Sequence, residues 1–478
     1  MVDGSLRLMW KRATSFLLPF KGIVIIALIG LAIRFLIAPF TSWTYDMYPY
    51  YSAMVDSLSG LGVYGHVMYS YPPLFMVITY PFTLLLSLFQ DPSTFVMFQP
   101  SMVGVAQSTK MLVPYVTSPS FNLAIKTPMI IGDLLAGLFI YAIVRDLSNQ
   151  VWAKRAFILW FLNPLVILTG SIMGQFDVLP ALMTLIAIYF AIKEKYLFVG
   201  LALGLGTLLK IYPAFLFFFY ITMIVLLNRE KTIPWITRRG RRQLLELVAG
   251  GAICLLTILP FFITSGRFTE VILRRTDYQQ FGGFSIWSIW NVVIPGTSPD
   301  TTFPDLHLTT LIYVAILVAS VLWAFWVVRE KERNGPDFKK RMIKGHILFV
   351  ATILVLQPLT NPQHLIWLLP LLLLFIPGDR RMELRFMVLS IIGALFLFSL
   401  QSFYALLYPL ASYIGLVDIA TLNQNIFLYY NSTNPLSHNY VLGIVVFSAM
   451  FCLYTIFLPP KFDPMTYLLR KRTTEESP

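Results

Sequence analysis

The stretch that decides the fold is V-L-P-A-L-M-T-L-I-A-I-Y-F-A-I-K-E-K-Y-L-F-V-G-L-A-L-G-L-G-T-L-L-K-I-Y-P, residues 178–213. Two apolar runs of membrane-spanning character flank a short turn that holds Lys193 and Lys195, and the second run ends at Lys210. Such a run hides its backbone polar groups from lipid only as a helix. The pair therefore reads as a helical hairpin in a membrane, with its basic turn on the cytoplasmic side. The same pattern recurs outward in both directions. Apolar spans are expected at 22–40, 126–145, 156–172, 178–193, 196–209, 211–228, 244–264, 307–328, 345–360, 363–377, 386–407 and 438–458. The expected fold is an all-α polytopic membrane protein, a bundle of about 12 transmembrane helices.

Composition agrees. Hydrophobic residues make up 57% of the 478 positions and charged residues 12%, with a mean hydropathy of +0.72. Soluble domains carry about a quarter charged residues, so a soluble enzyme, a disordered chain and a coiled coil are excluded. The two cysteines, Cys254 and Cys452, lie inside apolar runs and provide no disulfide framework or CxxC metal site. The net charge of +13 reads as positive-inside bias and not as a nucleic-acid surface. With both termini cytoplasmic, 29 of 36 Lys and Arg fall on the cytoplasmic side. Lys110, Lys126, Lys210, Arg267, Arg274 and Arg275 fall outside, and Arg34 sits within the first span. The N-terminus lacks the small-residue cleavage site of a signal peptide.

Tyr71–Leu88 is apolar enough to span, but counting it would invert every later loop. It is read as a re-entrant or surface-lying helix inside a long first external loop, 41–125. Residues 1–264 then form one module including that loop, and 265–478 supply the remaining helices and external loops.

Ionisable groups near the outer surface are the functional candidates. The acids are Asp46, Asp56, Asp91, Asp133, Asp177, Glu270 and Asp277; the bases are Lys210, Arg267, Arg274 and Arg275, with His364 nearby. Asp46, Asp177, Lys210 and His364 come from distant parts of the chain, yet this topology places all four at one face of the bundle. Asp177 could instead cap the helix that follows it, and Lys210 could simply snorkel to the interface. Asp133, inside the second span, is expected to pair with Lys126 or Arg34. Adjacent guanidinium groups at Arg274 and Arg275 suit a lipid phosphate. No Walker A loop, GxGxxG or HExxH is present.

Six segments, in order, resemble membrane glycosyltransferases of the GT-C class that use polyprenyl-phosphate sugars. They are Y-S-Y-P-P-L (69–74), K-T-P-M-I-I-G-D-L-L (126–135), W-F-L-N-P-L (160–165), G-Q-F-D (174–177), L-L-K-I-Y-P (208–213) and N-P-Q-H-L-I-W-L-L-P (361–370). The nearest likeness is to the first mannosyltransferases of glycosylphosphatidylinositol (GPI) assembly. The resemblance implies a GT-C-like bundle with amphipathic helices in the first external loop. It also implies an inverting, single-displacement transfer of a hexose, mannose first and glucose second, from dolichyl or polyprenyl phosphate to a lipid or glycan acceptor. Asp46 matches the second acid of the family's acid-x-acid pair, whose first position is Thr44 here. Asp46 is the expected base, with Asp177 the other catalytic candidate. Arg274, Arg275, Lys210 and His364 are the expected partners of the donor phosphate. Tyr45, Tyr71, Gln175, Tyr212 and Gln363 are expected against substrate. No metal ligand is assigned, although the resemblance leaves room for a divalent cation. The compartment would be the endoplasmic reticulum in a eukaryote and the plasma membrane in a prokaryote or archaeon. A lipid or polysaccharide transporter is the rival reading, and it predicts polar groups lining a path through mid-membrane.

Overall fold

The computed structural model describes residues 21–65, 69–98, 115–229, 236–264, 281–294, 307–329, 336–375, 379–400, 407, 409–410 and 438–466. The chain is an all-α, multi-pass membrane protein, and each of the twelve expected spans contains helix among these residues. Among the described residues, four helices are long and apolar enough to cross a bilayer alone: Gly22–Phe40, Pro119–Leu147, Arg238–Phe261 and Leu308–Val328. A bent pair, Gln150–Phe161 and Pro164–Met173, qualifies as a fifth. Helix Pro119–Leu147 is the central one, with 61% of its apolar window buried against 22–28% for the other three. Those three turn large apolar residues such as Leu28, Leu36, Leu256 and Leu322 outward, as lipid-facing helices do.

The segment expected to lie inside the first loop is a helix at Leu74–Ser87. Its 14 residues span only about 21 Å, short of a bilayer core, and it packs against Pro119–Leu147. A second helix, Thr44–Leu58, precedes it and tolerates an internal Pro49. A small antiparallel ladder, Val96–Phe98 with Tyr115–Thr117, closes the loop beside the start of the central helix.

Local chemistry sets the breaks. Ser118 accepts a hydrogen bond from the Phe121 N–H and caps the central helix, with Pro119 at its first position. At Asn163-Pro164 the helix must break, because Pro164 has no N–H and crowds the preceding turn. Asn163 caps the new start by accepting from Leu165 N (2.8 Å) and Val166 N (3.3 Å), and the chain bends by 42°. The next turn, Ile167–Met173, is wound as a π-helix and ends at Gly174 with φ +87°. A side chain at Gly174 would be strained there, and its Cβ would come within 2.5 Å of Met47 Sδ.

Helices Tyr196–Thr207 and Arg238–Leu256 pack on glycine. A Cβ at Gly200 would lie 2.1 Å from the Leu247 carbonyl oxygen, the close backbone approach that small residues permit in membranes. Deeper still, Arg34 donates to Asp133 at 3.0 Å with both side chains fully buried, and its guanidinium lies 4.2 Å from the Phe161 ring centre. Of the two partners expected for Asp133, Arg34 is the one found.

The two ends of the central helix give a direct check on topology. Ser93, beside the start, and Ser148, at the end, are both exposed, and the native Cys254 and Cys452 are buried. A cysteine at Ser93 is expected to react with an impermeant maleimide on intact vesicles of the external-side-out orientation, and one at Ser148 only after permeabilisation. Equal labelling of both would overturn the membrane crossing of this helix.

Candidate active site

The site is built on the turn G-Q-F-D, 174–177, where the π-wound segment ends and helix Val178–Ile192 begins. Two residues of that turn reach in opposite directions along the chain. The Gln175 side-chain amide donates to the carboxylate of Asp46, in the first turn of helix Thr44–Leu58. Asp177 Oδ1 accepts from Lys210 Nζ at 2.7 Å and from the Trp367 indole N–H at 2.7 Å. Asp177 sits at the N-cap position without capping the helix through its side chain; its carboxylate serves Lys210 and Trp367 instead.

Lys210 is nearly buried and lies 5.1 Å from the Phe176 ring centre, 5.6 Å from Trp367 and 5.7 Å from Tyr71. An ammonium held over ring faces and bonded to a carboxylate is stabilised by both. Trp367 is the hub of this half of the site. Tyr212 stacks on it at 4.3 Å and His364 at 4.5 Å. His364 and Trp367 are three residues apart in the 3₁₀ turn Pro362–Trp367, where residues at that spacing eclipse each other. His364 Nδ1 also meets the Gln357 amide at 3.1 Å, and the Tyr212 hydroxyl meets Thr184 Oγ1 at 3.0 Å.

Tyr50 joins the two halves. It stands one helical turn after Asp46, on the same face, and its ring touches Phe75 and Phe176. Its hydroxyl is fully buried without a hydrogen-bond partner among the described residues. Burial above all, then Tyr71 and the Asp46 carboxylate, push that hydroxyl well above the usual tyrosine range, so it stays a neutral donor. Gln175 Oε1, Asp177 Oδ2 and Gln363 Oε1 are likewise buried and unpartnered among the described residues.

Lys126 anchors the turn from behind. Its fully buried ammonium donates to the carbonyls of Ala38 (3.0 Å), Thr41 and Ile172 (2.8 Å). Those carbonyls end the first helix and the π-wound segment, and Trp43 N to Met173 O, 3.1 Å, ties the same two chains. The approach to Asp46 is thereby fixed to the G-Q-F-D turn.

The expected cluster of Asp46, Asp177, Lys210 and His364 is thus assembled, together with Tyr71, Gln175 and Tyr212, and Gln363 is buried in the same 3₁₀ turn as His364. Arg274 and Arg275, along with Arg267, Glu270 and Asp277, lie outside the described residues, as does the side chain of Tyr45. Asp91 is not part of the site: it is exposed and caps a short turn by accepting from Ser93 N, which lowers its pKa. Sequence alone does not mark Tyr50, Trp367 or Lys126 as site residues. Tyr50 follows from the i+4 rule once 44–58 is known to be helical. Trp367 belongs to the segment N-P-Q-H-L-I-W, but nothing in one sequence marks its contact 190 residues away.

The fold and the site define a polytopic helical membrane protein with two carboxylates, Asp46 and Asp177, brought to one end of its bundle by the G-Q-F-D turn. A family model described as GPI transamidase subunit PIG-U matches residues 53–278. The chain is similar to GPI mannosyltransferase 1 of Saccharomyces cerevisiae, 26% identical over 277 residues, covering 54% of this chain and 62% of that protein. It is also similar to GPI mannosyltransferase 1 of Kluyveromyces lactis, 24% identical over 255 residues, covering 52% and 58%. The chain spans about three fifths of the length of the curated relatives it matches.

Proposed function

We propose that this chain is a membrane mannosyltransferase that moves mannose from dolichyl or another polyprenyl phosphate to a hydroxyl of a lipid or glycan acceptor. The observation that carries the reading is the G-Q-F-D turn, which positions Asp46 through Gln175 and Asp177 through its own side chain. In the proposed step Asp46 takes the proton from the acceptor hydroxyl as its oxygen bonds to the anomeric carbon. The bond from that carbon to the phosphate oxygen breaks, and the lipid phosphate leaves with the electron pair. One displacement inverts the anomeric centre. Asp46 is half-buried and able to meet an acceptor, whereas one oxygen of Asp177 is committed to two donors. Asp177 is therefore the positioning acid that holds Lys210 and Trp367. The buried hydroxyl of Tyr50 and the unpartnered amide oxygens suit hydroxyl groups of a sugar.

Among the described residues no three His, Cys, Asp or Glu side chains converge, and Asp46 already accepts from an amide. This donor set does not fit a divalent cation, and no step is routed through one. Arg274 and Arg275 are proposed to hold the departing phosphate, with Lys210 and His364 near it. Replacing both arginines with Ala is expected to lower kcat/KM for the donor about tenfold or more, with acceptor KM little changed. Unchanged donor kinetics would move the phosphate elsewhere. If the protein comes from a eukaryote, the endoplasmic reticulum is the expected compartment.

The direct test is transfer of radiolabelled mannose from polyprenyl phosphate to a membrane lipid extract by the purified protein. Labelled glycolipid supports the reading. A second reading has its own observation: the PIG-U family model begins at residue 53, beyond Asp46, and Thr44 replaces one acid of the pair. On that reading the same cleft holds a GPI-like glycolipid without transferring sugar. Tight glycolipid binding with no transfer from any polyprenyl-phosphate sugar would establish it instead.

A further inference from the structure

Helices Val178–Ile192, Tyr196–Thr207 and Tyr212–Leu227 run back and forth between the carboxylate site and the opposite end of the bundle. With 12 to 16 residues each, they separate the two ends by about 18–24 Å. At that far end lies a cavity of about 540 Å³. One side is apolar, from Ile192, Leu227, Phe338 and Met342; the other is polar, from Asn228, Thr237, Arg239, Gln243 and Lys339, together with Glu194.

The polar side is a built structure. Thr237 caps helix Arg238–Leu256 by accepting from Gly240 N and donates to Asn228 Oδ1, while Asn228 Nδ2 donates to Gln243 Oε1. This network orients Gln243, which is 92% buried. Its oxygen is satisfied, whereas its amide N–H groups have no partner among the described residues. Arg239 is ion-paired with Glu194, and the two charges offset each other. The Lys339 ammonium forms no ion pair among the described residues. The 19-residue helix Arg238–Leu256 begins at this wall, with Thr237 and Arg239 lining the cavity, and the positive end of its dipole favours an anion. The cavity is therefore rich in donors, carries one uncompensated positive charge, and is apolar along one wall.

We propose that this cavity binds the phosphate of a lipid headgroup on the membrane face opposite the carboxylate site. A phosphate oxygen would accept from Gln243 and Lys339, while the apolar wall takes the start of the acyl region. Basic pockets between helices at a membrane surface suit this chemistry, and lipid bound here would brace the ends of the helices that carry Asp177, Lys210 and Tyr212.

The test uses the full chain in phosphatidylcholine nanodiscs doped with phosphatidylinositol 4-phosphate, with bound lipid counted by native mass spectrometry. Lys339→Glu is expected to reduce the bound fraction about tenfold, and Gln243→Met to reduce it in the same direction. Lys339 is partly exposed and forms no ion pair among the described residues, so its variant is expected to keep its melting temperature, and it decides the matter alone if Gln243→Met fails to fold. Binding that is unchanged in Lys339→Glu overturns the site. Inorganic phosphate and inositol 1-phosphate are the competing arms. Failure of both to displace the lipid supports a headgroup with its apolar stem. Displacement at comparable concentration overturns the lipid assignment in favour of a soluble phosphate.

Discussion

Asp46→Asn is expected to lower kcat by about 10² to 10⁴ while the protein still folds and binds donor, the usual contribution of a general base. Asn reproduces the shape of Asp, and its amide oxygen can still accept from Gln175. What it cannot do is take a proton at neutral pH. The measurement is single-turnover transfer of labelled mannose at saturating donor. Thr44 is no substitute, because a hydroxyl is not a base at this pH. If Asp46→Asn keeps near-normal turnover and Asp177→Asn is inactive, the base is Asp177 and the assignment is reversed. If both variants remain active, the proposed transfer loses its support.

Lys210→Met is expected to have the largest effect on stability. Asp177 is fully buried, and removing the ammonium leaves its carboxylate with the Trp367 indole as its one donor among the described residues. Breaking a buried pair from one side costs about 3–5 kcal/mol, whereas removing both charges is often nearly neutral. The double variant Lys210→Met with Asp177→Asn should therefore recover much of the lost stability, read as the midpoint of thermal unfolding in detergent. A double variant as unstable as the single one would show that Lys210 is held by its aromatic surroundings and not by Asp177.

Much of this was legible from sequence, and the physical reason is clear in each case. Twelve apolar stretches became helix because lipid allows the backbone no other open form. The side chains of Asp46, Asp177, Lys210 and His364 fall at one end because alternate spans must return to the same face. Asn163-Pro164 belongs to one of the segments that carry the resemblance, and in the structure it makes a capped break in the helix. Helices in the first external loop are implied by the resemblance, but the place of Thr44–Leu58 is not legible in the residues, because its tyrosines and Pro49 disguise the helical period. The π-wound turn at 167–173 has no sequence signature, since it differs from an α-turn only in which carbonyl each N–H meets. The roles of Lys126 and Trp367 depend on contacts across 85 and 190 residues, and a single sequence contains no record of such distances.

The reach of the G-Q-F-D turn has a consequence for biosynthesis. Gln175 looks back 129 residues to Asp46, and Asp177 looks forward 190 residues to Trp367. Translation at about 5–20 residues per second puts roughly 8–30 seconds between the emergence of Lys210 and that of Trp367. During that interval the nascent chain can pair Asp177 with Lys210, but Tyr212 has no indole to cover it. A chain released before residue 367 would leave an aromatic face and a half-satisfied carboxylate exposed at the membrane surface. Completion of the site therefore waits on the ribosome for Trp367, while helices Arg380–Leu400 and His438–Tyr454 are still to emerge.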